Sequence, residues 1–267
     1  KEKKSHDFQL SKDGSREIVY GQSVHRDEFG ISKGTFWSPN GELLAFYRMD
    51  QSMVTDYPQV DIPEIGFNHP ETQSCIATPA PDKYPMTGET SHKVTVGVFD
   101  CMTGKTVYLK AGDPTDRYFT NIAWSPDSKT IYMFELNRDQ NDCRLTAYNA
   151  ENGEKTGELY RETDEKYVEP CHPIQFLPWD SNSFIMQSRK DGYSHLYLCT
   201  LGKHGSRMSS NTESLEIKQL TSGKWEVMEV LGFNSKRKSI IIASNEKSPI
   251  QRNIFAVDKK TGKRTLV

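Results

Sequence analysis

The stretch Trp124-Ser125-Pro126-Asp127-Ser128, followed by the apolar run Thr130-Ile131-Tyr132-Met133-Phe134, decides the fold. The same order of aromatic residue, Ser-Pro-Asx turn and apolar strand occurs in Trp37-Ser38-Pro39-Asn40-Gly41 and Leu43–Tyr47. Proline presets φ for a turn and Asx residues tolerate a left-handed backbone, so each motif is typical of a turn into a strand. The repetition predicts a β unit that occurs several times.

A second turn recurs near the end of three units, and its fifth residue is a glycine. Its copies are Asp100–Lys105, Asn149–Glu154 and Asp258–Lys263. The aromatic anchors of successive units are separated by 87, 52 and 57 residues, and they are Trp37, Trp124, Phe176 and Phe233. Four-stranded units of this size are typical of β-propeller blades, and no stretch has sustained helical periodicity. We predict an all-β chain with about four four-stranded blades of a propeller, as a closed ring of four or an open array.

The units divide the chain into five parts. Residues 1–30 are assigned to the end of a preceding blade with an acidic segment, and the blades span 31–110, 111–165, 166–222 and 223–267. The long first unit is explained by an arm inserted at 54–93, which contains six prolines; a mobile surface loop is the alternative. Apolar residues favour an arm that contacts protein, and they are Ile62, Ile65, Phe67 and Ile76.

Composition excludes several classes of partner and cofactor. The formal net charge is −2 with scattered basic residues, which argues against nucleic acid. No apolar run approaches the roughly 20 residues of a membrane-spanning helix. Isolated thiols are expected for the five cysteines, and neither a metal site nor a cofactor is predicted, because CxxC and zinc-ligand spacings are missing. The cysteines are Cys75, Cys101, Cys143, Cys171 and Cys199.

One motif resembles a catalytic one. Gly30-Ile31-Ser32-Lys33-Gly34 has the G-x-S-x-G spacing of a hydrolase nucleophile, which requires a helix after the serine. Pro39 and the strand pattern that follows argue against that helix. We therefore predict no catalytic residue in this chain, and we interpret His195 as structural.

Six segments, in order along the chain, resemble the propeller domain of the dipeptidyl peptidase IV family of serine peptidases. Within the family the likeness is greatest to bacterial prolyl tripeptidyl peptidases. The segments are Val24–Ile31, Gly34–Gly41, Ala45–Asp50, Tyr167–Pro170, Arg189–Tyr197 and Gly223–Val227.

The resemblance implies an eight-bladed propeller joined to a C-terminal α/β-hydrolase domain that carries the catalytic triad. It also implies peptide substrates with proline near the amino terminus and a periplasmic, secreted or cell-surface location. Members of the family often form homodimers through an extension at the place of the arm 54–93.

The resemblance further implies that acidic residues of a short helical segment hold the free amino terminus of the substrate. Asp27 and Glu28 occupy that segment, and Arg26 stands where the dipeptidyl pattern has an acid. This departure favours tripeptidyl over dipeptidyl specificity without deciding it. The alternative for Asp27 and Glu28 is a solvated charge cluster.

Three further residues are candidates to line the substrate cavity: Arg48, Val168 and Glu169. Strand alternation places Arg48 opposite Tyr47, and an ion pair with Asp50 is the favoured interpretation. Val168 and Glu169 match a family loop near the substrate, although a plain inter-blade loop fits equally well. The predicted role is gating and amino-terminus recognition in a peptidase; the alternative is a non-catalytic propeller that serves as a protein-binding scaffold.

Overall fold

The structure, a computed structural model, describes residue 7 and residues 9–62, 76–202 and 215–267. In these residues four antiparallel sheets follow one another along the chain. The first contains β1 (Ile18–Tyr20), β2 (Thr35–Trp37), β3 (Leu43–Asp50), β8 (Lys93–Asp100) and β9 (Thr106–Tyr108), and the arm adds β4 (Asp56–Tyr57), β5 (Val60–Asp61), β6 (Thr78–Pro79) and β7 (Asp82–Lys83).

The other three sheets each have four strands in simple sequential order. The second has β10 (Arg117–Trp124), β11 (Thr130–Asn137), β12 (Asp142–Asn149) and β13 (Lys155–Thr163). The third has β14 (Gln175–Leu177), β15 (Asp180–Ser188), β16 (His195–Leu201) and β17 (Leu215–Gln219). The fourth has β18 (Val227–Asn234), β19 (Ser239–Ser244), β20 (Asn253–Asp258) and β21 (Arg264–Leu266). Among the described residues the one helical segment is His25–Gly30, so the prediction of an all-β chain of four-stranded blades is confirmed.

The recurring turns are built by side-chain hydrogen bonds to the backbone. The Ser125 hydroxyl accepts a bond from the Thr130 amide at 2.9 Å, and Ser38 does the same for Leu43 at 3.0 Å. These bonds close the turn between β2 and β3 in the first sheet and the turn between β10 and β11 in the second. The aromatic anchor also links the two sheets, because the Trp124 indole donates to the carbonyl of Phe36 at 3.0 Å.

The glycine of the second turn is required for two reasons, its left-handed backbone and its close approach to another segment. Gly153 has a φ of +73°, and a Cβ there would lie 2.3 Å from the Tyr108 carbonyl oxygen in the preceding sheet. Gly262 has a φ of +71°, and a Cβ there would lie 2.3 Å from the Leu220 carbonyl oxygen. A left-handed turn pressed against another backbone admits only glycine. The motif therefore sets how closely one sheet stacks on the next.

Three hydrophobic cores lie between successive sheets, and a smaller cluster of Leu44, Phe46 and Phe99 belongs to the first sheet alone. Ala45 and Val96 of the first sheet pack with Phe119 and Ile131 of the second. The second and third sheets share a core, and so do the third and fourth. Burial of each large apolar side chain contributes about 1.5–3 kcal/mol, and a blade obtains it mainly from its neighbour.

The first strand belongs to the first sheet and not, as the sequence suggested, to a preceding blade. The sequence pattern assigns Ile18–Tyr20 to a preceding blade, but Tyr20 pairs with Arg48 of β3. Thr35 of β2 pairs with Phe46 on the same strand. Both short strands therefore run along one edge of β3, and residues 21–34 are an insertion that interrupts this edge strand. The strand-like pattern of β1 is visible in the sequence, but its partner lies 28 residues further along the chain and cannot be read locally.

The arm leaves β3 and returns to β8 as a two-stranded ribbon. Asp56 pairs with Lys83 near its base, and Val60 pairs with Pro79 further out. Of the apolar residues that suggest protein contact, Ile62 and Ile76 are exposed, whereas Ile65 and Phe67 lie outside the described residues. No helix within the described ranges is long and apolar enough to cross a membrane.

Candidate functional site

The insertion in the edge strand carries the acidic segment, which comprises His25–Gly30. Its backbone is a series of left-handed residues, with φ of +54° at His25, +56° at Arg26, +64° at Asp27 and +57° at Phe29. The short helical segment that the resemblance implied is therefore irregular. Left-handed backbone costs about 1–2 kcal/mol for a residue other than glycine, so outside contacts must hold this conformation.

His25 anchors the start of the segment to β10 and to His92. Its ring is buried and accepts a hydrogen bond at Nε2 from the Phe119 amide at 3.3 Å. His92 Nε2 lies 3.0 Å from His25 Nδ1 and also accepts the His25 amide at 3.3 Å. With Nε2 of both rings accepting, His25 Nδ1 carries the proton and both imidazoles are neutral. Burial lowers the pKa of His25 well below its usual value, and lowers that of His92 to about 4.

Asn121 holds the segment at its other end, and sequence reasoning missed it. Asn121 is buried in a bulge of β10 with a φ of +54°. Its side-chain amide donates to the carbonyl of Phe29 at 3.1 Å and to the carbonyl of Pro170. One side chain thus fastens the acidic segment to the loop between β13 and β14. An asparagine in a strand otherwise rich in apolar residues was the available signal.

Gly30 completes this junction. It has a φ of +70°, and a Cβ at this position would lie 2.2 Å from the Cys171 carbonyl oxygen. Only glycine permits the acidic segment to approach the loop of Pro170 and Cys171 this closely.

The two acidic candidates differ in what they contact. Both are exposed, but the Asp27 carboxylate already accepts a hydrogen bond from the Ser23 hydroxyl. Among the described residues the Glu28 carboxylate has no hydrogen bond or ion pair. Glu28 is therefore the better placed of the two to bind a cationic group.

Glu169 lies on the same side of the molecule. It is exposed and, with Cys171, lines a cavity of about 270 Å³. Burial, followed by the negative charge of Glu169, raises the pKa of the Cys171 thiol to about 11, while Arg189 opposes the shift and Glu28 adds to it. The segment that carries Glu28 reaches this wall of the cavity through Gly30, which lies against the Cys171 carbonyl. The cavity is also lined by His172, Gln187, Arg189 and Glu226.

Arg26 does not line that cavity but contacts the arm. Its guanidinium lies 3.2 Å from the Asp82 carboxylate and 4.7 Å from the centre of the Tyr84 ring. The residue next to the acidic pair thus has a partner in the inserted ribbon.

Two other candidates have structural roles. Arg48 donates to the Tyr20 hydroxyl at 2.9 Å and pairs with Asp13 at 3.2 Å, so the expected ion pair with Asp50 is wrong. Tyr20 faces Arg48 in the strand register, which alternation within β3 could not reveal. Val168 is buried in the core between the second and third sheets and does not face a substrate cavity.

The remaining motifs carry no chemistry in the described part of the chain. Ser32 precedes β2 rather than a helix, so the G-x-S-x-G spacing lacks the geometry of a nucleophile turn. His195 is buried between Thr221 and the carbonyl of Gly223, at 3.0 Å from each. Cys101, Cys143, Cys171 and Cys199 are free thiols, while Cys75 lies outside the described residues.

Comparison with known proteins agrees with this fold and segment order. The family model described as the dipeptidyl peptidase IV N-terminal region matches residues 1–267. A crystal structure from Bacteroides ovatus, described as a dipeptidyl aminopeptidase IV, is 50% identical with a TM-score of 0.82; the match covers 96% of this chain and 35% of that one. The dipeptidyl peptidase 4 structure from Porphyromonas gingivalis, 24% identical with a TM-score of 0.76, supports the fold over 97% of this chain and 34% of its own.

Curated relatives give the same result. Proteins named probable dipeptidyl-aminopeptidase B from Pyrenophora tritici-repentis and Aspergillus oryzae are 26% and 27% identical over 94% and 93% of this chain. The chain spans 29% and 28% of their lengths.

The fold and the strand-interrupting acidic segment define a propeller module of a peptidase family. The chain belongs to the dipeptidyl peptidase IV N-terminal region family, as the sequence motifs predicted. These four relatives carry dipeptidyl names, and tripeptidyl specificity stays a prediction.

The buried histidine pair predicts a pH dependence of stability. In the unfolded chain each histidine takes up a proton below a pKa of about 6.5, whereas in the folded chain His92 does so only near 4. The contribution of the neutral pair to the free energy of unfolding is therefore fully present above pH ~6.5. It is lost as the pH falls towards 4, by at most about 1.4 kcal/mol per pH unit for each histidine.

Urea unfolding of the wild type and His92→Gln at pH 7.5 and 5.0 measures this loss. We expect the free energy of unfolding to fall less between the two pH values in His92→Gln, by up to about 2 kcal/mol. Equal pH dependence of the two proteins would show that His92 is not held neutral by the fold. Because each protein is compared with itself at the two pH values, any destabilisation by glutamine that is the same at both pH values cancels.

Proposed function

We propose that this chain is the propeller part of a serine-type dipeptidyl or tripeptidyl peptidase and that it binds the free amino terminus of peptide substrates through Glu28. The observation that supports this most is the acidic segment itself. It interrupts an edge strand, has four left-handed residues other than glycine, and carries the exposed carboxylate of Glu28 two residues before Gly30, which lies against Cys171 of a cavity wall. Strain of this kind is concentrated at functional sites.

The chemistry follows from the charge of both partners. An exopeptidase that removes a fixed number of residues must hold the α-ammonium group at a fixed distance from its nucleophile. Glu28 supplies a charge-assisted hydrogen bond, and Glu169 adds negative potential at the same thiol-bearing wall. A hydrogen bond to a charged group is worth about 1.5–3 kcal/mol.

The rest of the proposal concerns the whole protein. Substrates are peptides with proline near the amino terminus, a C-terminal hydrolase domain supplies the triad, and the propeller gates access to it. The enzyme acts in the periplasm, at the cell surface or outside the cell. The six family-like segments and the dipeptidyl names of the relatives support this assignment.

Replacing Glu28 with glutamine in the full-length protein tests the assignment. Glutamine keeps the shape and removes the charge, so kcat/KM for a peptide with a free amino terminus should fall about 10- to 200-fold. Asp27→Asn is the matched control, and its effect should be smaller because the Asp27 carboxylate is engaged by Ser23.

A peptide with a blocked amino terminus separates recognition from general damage. Its cleavage by Glu28→Gln should equal that by the wild type, since this substrate has no ammonium group to lose. Unchanged cleavage of the free-amino peptide by Glu28→Gln would refute the assignment. A larger loss in Asp27→Asn than in Glu28→Gln would transfer the role to Asp27.

We also propose that the arm 54–93 contacts a second copy of the protein. Its outer ladder exposes Val60 and Ile62, at 63% and 64%, and Ile76 is 74% exposed. Removing residues 58–81 from the full-length protein should convert a dimer into a monomer in light scattering. An unchanged mass, or a monomer before the deletion, would contradict this contact.

A further inference from the structure

The arm and the acidic segment meet at two places. At the first, Arg26 forms its ion pair with Asp82 and lies over the Tyr84 ring. At the second, the buried rings of His25 and His92 stack with centres 5.1 Å apart. Asp82 and Tyr84 belong to the returning side of the arm, and His92 directly precedes β8.

The base of the arm is itself fastened to the body of the first sheet. Asp56 lies 2.8 Å from Arg16 and 3.3 Å from Lys83, and Arg16 also donates to the Pro81 carbonyl at 2.7 Å. Lys83 donates to the carbonyl of Val54 at 2.8 Å. Asp82 therefore stands between two anchored neighbours and offers Arg26 a fixed partner.

The acidic segment has a strained backbone. At its ends, the Asp27 amide donates to the Val24 carbonyl at 3.2 Å and the Ile31 amide donates to the Glu28 carbonyl at 3.1 Å. Because most of its residues are left-handed without being glycine, contacts from outside the segment help to hold its shape. Removing one of these contacts shifts the segment towards relaxed conformations in which the Glu28 carboxylate points elsewhere.

We propose that Arg26 is a positioning residue that ties the acidic segment to the base of the arm and thereby fixes the orientation of the Glu28 carboxylate. The arm then controls the affinity of the protein for a peptide amino terminus. This inference rests on the proposed role of Glu28. Arg26 acts through Asp82 and Tyr84 and does not touch the substrate.

Substitutions on the arm test the contacts of Arg26 with Asp82 and Tyr84 without altering the acidic segment. In the full-length protein, Asp82→Asn and Tyr84→Leu should each raise KM for a free-amino peptide about two- to fivefold, with kcat nearly unchanged. Tyr84→Leu leaves every charge in place, so its effect cannot come from an altered electrostatic field. Asp82→Glu keeps the ion pair and should restore most of the affinity.

Asp61→Asn is the matched control. It removes the same charge from the outer ladder of the arm, where Asp61 has no ion pair among the described residues, and KM should stay at the wild-type value. A rise in KM for Asp61→Asn equal to that for Asp82→Asn would overturn the proposal, because a general field effect would then explain both.

Hydrogen exchange adds a readout that does not depend on catalysis. Asp82→Asn and Tyr84→Leu should speed exchange of the Asp27 and Ile31 amides, while amides of β15 keep their wild-type rates. Unchanged exchange, or faster exchange with an unchanged KM, would overturn the proposal. The proposed function fails on a different variant, Glu28→Gln, so the two failures are distinguishable.

Discussion

The side-chain amide of Asn121 is the contact on which the site depends. Its two hydrogens serve the carbonyls of Phe29 and Pro170, which belong to segments far apart in the chain. Both residues are buried, and a buried carbonyl that loses its hydrogen-bond donor costs about 1–3 kcal/mol of stability. The left-handed backbone of Asn121 within a bulge turns this amide out of the β10 ladder and towards the two loops.

These hydrogen bonds explain how a sheet of regular strands holds an irregular acidic segment in place. The edge strand of the first sheet breaks after Tyr20 and resumes at Thr35, so both ends of the insertion are fixed by pairing with β3. His25 and Asn121 then hold the two ends of the acidic segment against β10. A binding group held by packed, hydrogen-bonded supports loses little entropy when its ligand arrives.

Much of the fold could be predicted because its signals are local. The Ser-Pro-Asx turns, and the turns that contain Gly153 and Gly262, each bend the chain within a few residues, and their repetition predicted the repeated sheets. Glu28 and Glu169 are candidates from motifs alone; Glu169 lines a cavity with Cys171, and the segment of Glu28 meets the Cys171 carbonyl at Gly30. The close approach of Gly30 to the Cys171 carbonyl could not be predicted, because the two residues are far apart in the sequence.

The failures all involve partners that are distant in sequence. The strand pattern pairs Arg48 with Asp50, two residues away, whereas its partners are Tyr20 and Asp13 on the chain before β2. Asn121 contacts a carbonyl 92 residues earlier, and no local pattern indicates such a contact. For Val168 the sequence left a cavity and a plain inter-blade loop equally open, because a single apolar residue in a loop gives no sign of which core it enters; the side chain lies in the core between the second and third sheets.

The proposed role of the acidic segment, which Asn121 and His25 hold in place, is to present Glu28 to the amino terminus of a peptide. The most direct measurement is a structure of the full-length protein with an uncleaved peptide bound. We expect the α-ammonium nitrogen to lie within about 3 Å of a Glu28 carboxylate oxygen, with the left-handed backbone of His25–Asp27 and Phe29 retained. An ammonium group bound elsewhere, with Glu28 facing solvent, would contradict it.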